Sequence, residues 1–267
     1  MSNYKLSIAL LDMYAGAPNE GMRCIQEIID RFSQSHQVSC YTKIFDVRKN
    51  QELPDLSADV FISSGGPGSP LAEGEKWDHS YREWLLSLIE YNSKNYIKKP
   101  AFFICHSFQL ACRHLVIGEI SKRAHTSFGI FLVHKTNKTS PIFNGLENPF
   151  HAFDNRDFQV TYDGHLHELS QVLAVENMEQ TNSNAIMAIQ FNECMWGTQF
   201  HPEADAKGML SYLQREERKE QIIRLHGLHT WEEMMQHAQN PVALNNTRNN
   251  IIPNFLTLAL ECKYLNT

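Results

Sequence analysis

Strand and helix candidates alternating through the first hundred residues, hairpin-like strands after them and a helical tail predict an α/β chain. Its central sheet is expected to be mainly parallel and flanked by helices, with a helical C-terminal extension. Order carries this expectation. Short apolar runs at residues 5–11, 38–45, 59–63 and 100–105 bracket two segments of helical spacing, one between the first pair and one between the last. Such β-α-β units make right-handed parallel crossovers that lay helices on the sheet faces.

Each element has a local reason. Residues 5–11 run into a Gly/Pro-containing loop, after which Met22, Ile25, Ile28 and Ile29 mark an apolar stripe on a helix over about 19–32. The second strand is 38–45, and 59–63 is a short, β-branched third that gives way to the loop Ser64-Gly65-Gly66-Pro67-Gly68. A helix over 77–91 carries Trp84, Leu85, Leu88 and Tyr91 on one face, with Trp77 and Trp84 as core anchors. Pro100 opens the fourth strand, which ends at Cys105. Strand-like runs follow at 129–134, 158–162, 172–175 and 185–191, and Asn192-Glu193 turns the last into 194–200. The tail holds helix candidates at 208–225 and 231–238 and a polar loop at 245–250. A final helix places Ile251, Phe255, Leu258, Ala259 and Cys262 at core spacing, with Pro253 in its first turn. Residues 1–210 are read as one α/β domain and 211–267 as a helical extension packed on it.

Composition narrows the function classes. A chain of 267 residues can bury a full core as one large domain, and 42% hydrophobic with 20% charged residues is ordinary for a globular protein. A net charge of −6 and a pI of about 6.1 argue against a nucleic-acid surface. The densest basic cluster, 215–219, is interleaved with glutamates and reads as a solvated helix face. No apolar stretch reaches membrane-spanning length, and the first residues lead into a strand rather than a signal peptide. Six widely spaced cysteines with no CxxC pair are read as reduced thiols, five of them buried, which assigns a cytoplasmic location.

Two stretches carry chemistry. Cys105 follows the apolar run 101–104 and precedes a helix candidate, and a strand-to-helix turn lifts a nucleophile out of the sheet beside backbone N–H groups. In Gln199-Phe200-His201-Pro202-Glu203, Pro202 keeps His201 out of the α conformation. Residues two apart in an extended stretch share a side, so Glu203 is expected to orient the His201 ring. Thiol, imidazole and carboxylate together predict a cysteine enzyme acting on an acyl or amide carbon. The His106 side chain is expected to pack rather than act as a base, with Cys112 in the core and His114 at the surface. His165-x-His167 with Asp163 and Glu168 has metal-ligand spacing, yet a solvated loop is the expectation and no metal is assigned. Met234-Met235 is expected to be helix packing.

Further residues carry a resemblance. Ser63-Ser64-Gly65-Gly66-Pro67-Gly68-Ser69-Pro70, Cys105 with Gln109 four residues on, and Gly197-Thr198-Gln199-Phe200-His201-Pro202-Glu203 resemble class I glutamine amidotransferases. The likeness is nearest to the amidotransferase domain of GMP synthase and its stand-alone relatives. Phe128-Gly129, Phe143-Asn144-Gly145-Leu146 and Asp157 match more weakly, in the same order, so that the motifs span roughly 58–205. The resemblance implies a flavodoxin-like fold and glutamine amide hydrolysis through a glutamyl thioester, with Cys105, His201 and Glu203 as the triad. It implies an oxyanion hole from the backbone N–H groups of Gly66 and His106, and contact of Gln109 with the substrate. It also implies no cofactor, and ammonia delivered to a synthase or acceptor on another chain.

Two departures bear on the substrate. Phe103 and Ser107 stand where the family usually has glycine on either side of the nucleophile, so Phe103 is expected to shift the elbow or narrow the pocket. Asp154-Asn155-Arg156-Asp157 replaces His-Gly-Asp, placing Asn155 and Arg156 with the substrate and a fixed cation near its amino-acid end. The alternatives are a homoserine acyltransferase-like or γ-glutamyl hydrolase-like enzyme with the same triad, or a catalytically degenerate binding relative.

Overall fold

The computed structural model describes residues 4–71, 74–162, 166, 168–176, 185–239 and 242–264. The first half runs β1 (Lys5–Asp12), α1 (Gly21–His36), β2 (Ser39–Asp46), β3 (Val60–Ser63), α2 (Lys76–Lys94), β4 (Ala101–Ile104) and α3 (His106–His114). The second runs β5 (Glu119–Lys135), a 3₁₀ turn (Pro141–Phe143), β6 (Phe150–Thr161), β7 (Gln171–Glu176), β8 (Ile186–Asn192) and β9 (Met195–Thr198). Four helices follow: α4 (Ala206–Leu213), α5 (Glu216–His226), α6 (Leu228–Gln239) and α7 (Val242–Tyr264).

The strands join one sheet in the order β2-β1-β3-β4-β9-β8-β7-β5-β6. Strands β2, β1, β3, β4 and β9 are mutually parallel, while β8, β7, β5 and β6 pair antiparallel. The parallel half is the doubly wound order of a flavodoxin-like fold, with β9 in fifth place. Here β9 arrives through a hairpin from β8, and so the parallel and antiparallel halves of the sheet are continuous. Strands β3 and β4 are apolar at every position but Ser63 and buried throughout, because both faces are covered. On one face Leu6, Ile8, Leu10, Phe102 and Ile104 pack with α1 and α7. On the other, Ala9, Leu11, Phe61 and Phe103 pack with α2 and α3, where Trp77 and Trp84 are buried as expected. A third cluster, built on Phe128, Met209, Leu213, Ile222 and Met234, seats α4 to α6 on the β5–β6 ribbon, so Met234 is packing.

The tail differs from expectation at two places. Residues 208–225 are two helices, because Arg215 is extended (φ −69°, ψ 122°) and breaks the run with neither glycine nor proline. The break lets Leu213 and Ile222 reach the same cluster, and Trp231 Nε1 donates to the Leu213 carbonyl at 3.3 Å. Residues 245–250 are helix, not loop, and Pro253 lies inside α7 rather than in its first turn. Leu244, Thr247, Arg248, Ile251, Ile252, Phe255 and Leu256 are all buried, a helical stripe that includes two polar residues. Thr247 donates to the His151 carbonyl, and Arg248 is ion-paired. Polarity was a misleading guide there. His114 is also corrected: its side chain is 6% exposed against Asp78, not at the surface.

All six cysteines are free; Cys40 and Cys262 are half-buried. Burial pushes the Cys24 and Cys194 thiols up to about 12. Among the described residues no helix is long and apolar enough to cross a membrane.

Candidate active site

Parallel pairing of β4 with β9 brings the two chemistry-bearing stretches together. Ile104 pairs with Thr198, and the Cys105 N–H donates to the Thr198 carbonyl at 2.8 Å, so both chains leave the sheet at the same edge. Cys105 sits between strand and helix at φ 48°, ψ −99°, a conformation L-residues rarely adopt. Ser107 holds this elbow. Its Oγ accepts the Ile104 N–H at 2.8 Å and donates to the Ser63 carbonyl at 2.7 Å.

His201 is anchored by its N–H to the Phe153 carbonyl of β6 at 2.8 Å. Its Nδ1 meets Glu203 Oε1 at 2.8 Å. The route to that contact is not the extended stretch inferred from spacing: Pro202 and Glu203 form a turn, closed by Ala204 N–H on the His201 carbonyl at 3.3 Å. Burial acts to lower the His201 pKa. The charges of Glu203 and Cys105 and the ring's hydrogen bond to Glu203 outweigh it, holding the pKa well above its ordinary value.

Cys105, His201, Gly66, His106, Gln109, Asn155 and Arg156 all line one cavity of about 300 Å³, and Glu203 stands behind His201 on a second of about 150 Å³. Gly66 belongs there because a Cβ on it would lie 2.2 Å from the Met13 carbonyl oxygen. The His106 ring is 2% exposed with its pKa pushed down to about 3, by burial first and then by Arg48 and Arg113. It is a neutral packing group, as expected. Gln109 Nε2 is engaged by the Phe158 carbonyl (3.2 Å) and Gln199 Oε1 (3.1 Å). The Asn155 carbonyl lies 3.8 Å from Cys105 Sγ.

Arg156 is a fixed cation, but a balanced one. Nε binds Asp154 Oδ2 at 2.8 Å and Nη2 lies 3.2 Å from Glu176 Oε2, with the side chain 1% exposed. Both carboxylates have further partners, Ser127 on Asp154 and Arg123 on Glu176.

Phe103 does not do what was expected of it. It is fully buried on the face opposite Phe102 and meets the Phe191 ring edge-on at 5.8 Å, away from the cavity. Room exists because its cross-strand partner is Gly197, where a Cβ would already press on Phe108 and Phe191 at 3.0 Å. A large side chain on β4 is matched by none on β9. The Phe103 ring therefore does not narrow the cavity.

The family model of glutamine amidotransferase class-I matches residues 21–218. The chain belongs to that family. Among solved structures this amidotransferase is similar to a glutamine amidotransferase from Thermotoga maritima (TM-score 0.70, 12% identity, covering 96% of this chain and 98% of that one). It is similar also to a glutamine amido transferase from Methylobacillus flagellatus (TM-score 0.65, 10% identity, 96% and 95%). A third likeness is to the CTPS glutaminase domain of Trypanosoma brucei with bound acivicin (TM-score 0.56, 15% identity, 74% and 86%). At these identities the likenesses report fold. No curated protein matches the sequence.

Three residues in or around the candidate site escaped sequence reasoning. Tyr14 lines both cavities; a Cβ on Gly65 would lie 2.7 Å from His201 Cε1 and 3.5 Å from Tyr14 Oη. Burial, then the charges of Glu203 and Cys105, raise its pKa well above normal. Arg48 donates to the Met13 and Pro67 carbonyls and lies 4.8 Å over the Trp77 ring, stapling the glycine loop to the residue that follows β1. Gln199 connects Gln109 to Cys105, with Nε2 3.7 Å from Sγ. Gln199 had a signal, its place in the His-Pro-Glu stretch; Tyr14 and Arg48 come from loops with no distinguishing pattern. Of the His165-x-His167 group, Asp163, His165 and His167 lie outside the described residues. Among the described residues no group of three or more His, Cys, Asp or Glu is placed to hold a metal ion.

Proposed function

We propose that this amidotransferase hydrolyses the side-chain amide of glutamine with Cys105, His201 and Glu203, and passes the ammonia to an acceptor site on another chain. The carrying observation is the 2.8 Å His201–Glu203 hydrogen bond beside a cysteine held at positive φ at the lip of the same cavity. His201 takes the thiol proton as Cys105 Sγ attacks the carboxamide carbon. The oxyanion accepts the N–H groups of Gly66 and His106. On collapse the C–N bond breaks, His201 returns the proton to the leaving nitrogen, and ammonia departs from a glutamyl thioester. A water that gives its proton to His201 then attacks the thioester carbon, the C–S bond breaks, and glutamate leaves with the thiol restored.

Glu203 keeps the imidazole in one tautomer and stabilises its charged form, in keeping with the raised His201 pKa. Gln109, Asn155 and Arg156 are assigned to the amino-acid end of the substrate, all three on the cavity wall. Within the family, the ordered glycine loop, Cys105, Gln109 and His-Pro-Glu stretch favour the GMP synthase-like branch. Six free thiols suit a reducing, cytoplasmic setting. The test is ammonia release from glutamine by the purified protein against Cys105→Ala. Loss in the variant is expected; equal release by both removes the proposal.

A further inference from the structure

The turn that carries His201 and Glu203 is gripped from below by the C-terminal helix. Arg248, on α7, is 2% exposed, and its Nη1 donates to the Glu203 carbonyl at 2.7 Å. Nη2 donates to Glu27 Oε2 on α1 at 2.8 Å, and Asp205 Oδ2 lies 3.6 Å from Nη1. Glu27 Oε1 in turn accepts from Arg23 at 2.7 Å, and Arg23 closes the ring on Asp205 with contacts of 3.0 and 2.9 Å. Asp205 also caps α4 through the Gly208 N–H at 2.7 Å. The turn is therefore held at the carbonyl of residue 203 and at the carboxylate of residue 205.

Glu203 needs that grip. Its Oε1 binds His201, but Oε2 is buried with no hydrogen-bond partner, so no second side-chain bond fixes the direction of the carboxylate. Aim must come from the backbone. Glu27 and Asp205 are two further negative charges beside this turn; the hydrogen bond from Arg23 holds Glu27 below its usual range and, against burial, does the same for Asp205, with the charge of Arg248 adding to both. An apolar side chain of similar volume would dock α7 without the desolvation penalty of a buried cation. What it would lack is the bond to the Glu203 carbonyl. We propose that Arg248 is a positioning residue for the reaction: by holding the Glu203 backbone it aims the carboxylate at His201, making the C-terminal helix part of the active-site frame. This rests on the triad reading but not on the identity of the substrate.

The test compares Arg248→Met and Arg248→Lys with Thr247→Val, which loosens α7 at the His151 carbonyl without touching Glu203. Three readouts are taken: the rate of Cys105 carboxamidomethylation by iodoacetamide, mapped by peptide mass; kcat and KM for glutamine; and Tm. Arg248→Met is expected to slow Cys105 alkylation and kcat ~10-fold or more at little change in KM, since lost orientation is felt in the reacting geometry. Arg248→Lys should recover part of both rates, because a point charge reaches one partner and not two. Thr247→Val should lower Tm and leave both rates. Arg248→Met with wild-type rates per folded molecule, its only effect a lower Tm, overturns the proposal. Should Arg248→Met not fold, Arg248→Lys decides: a rate loss not shared by Thr247→Val supports the proposal, and full rates overturn it. If the wild type releases no ammonia from glutamine, the proposed substrate fails while the alkylation comparison still decides the role of Arg248.

Discussion

Replacing Gly66 by alanine adds one methyl group where the chain has no space. The new Cβ would stand 2.2 Å from the Met13 carbonyl oxygen, 2.9 Å from its carbon and 3.1 Å from the Met13 Cβ. Met13 cannot retreat easily, since Arg48 holds its carbonyl at 3.1 Å and ties the same loop at Pro67. Relief of the overlap therefore moves the glycine loop, by ~1 Å, and a displacement of that size near reacting groups costs about 10²-fold. Full loss of one oxyanion donor costs ~10²–10³ in kcat, or about 2.7–4 kcal/mol of transition-state stabilisation. Steady-state ammonia release from glutamine reads both parameters. The expected result is kcat down ~10²-fold with KM changed less than roughly threefold, the signature of a contact made only in the transition state. Alkylation of Cys105 by iodoacetamide should be unchanged, because His201 and Glu203 are untouched. A Gly66→Ala protein with wild-type kcat would refute the oxyanion assignment.

Glu203→Gln keeps the shape of the dyad but removes the larger of the two charges that raise the His201 pKa. An NMR titration of the ring should show that pKa falling, with kcat reduced ~10²–10⁴-fold. In the wild type the raised pKa contributes stability in full below the ordinary histidine range, lost as pH rises through the folded value; in the variant this high-pH loss should shrink. Phe103→Ala should cost about 3–5 kcal/mol in urea unfolding while the folded fraction keeps its kcat, because the ring fills core and not cavity. His106, held at about 3 in the fold, takes its proton in the unfolded chain first as pH falls. Its share of stability should decline by about 1.4 kcal/mol per pH unit below ~6.5 and level off near its folded value. His106→Leu should flatten that slope in denaturation curves measured across the window.

Cys105, His201 and Glu203 stood out as candidates because each rests on local sequence features that survive without neighbours. A cysteine at the end of an apolar run and a His-Pro-Glu stretch announce themselves in one dimension, as does the β-α-β order that makes the sheet parallel. Phe103 shows where that legibility ends. It departs from the expected glycine, and only pairing with Gly197 on a strand ninety-odd positions away reveals that its ring is accommodated. Thr247 and Arg248 were read as loop because polar residues break an apolar stripe, yet each is buried by a partner distant in sequence, His151 for one and Glu27 with Glu203 for the other. Arg156 reads in sequence as a fixed cation near the substrate's amino-acid end, and only the fold shows Asp154 and Glu176 closed around it. The linear chain determined the family, the candidate residues and the order of its elements, since propensity, periodicity and motif act over a few residues. Tertiary structure alone decided which buried charges are balanced, which large side chains have room, and what holds the His201–Glu203 turn in place, because those energies depend on atoms that meet only after folding.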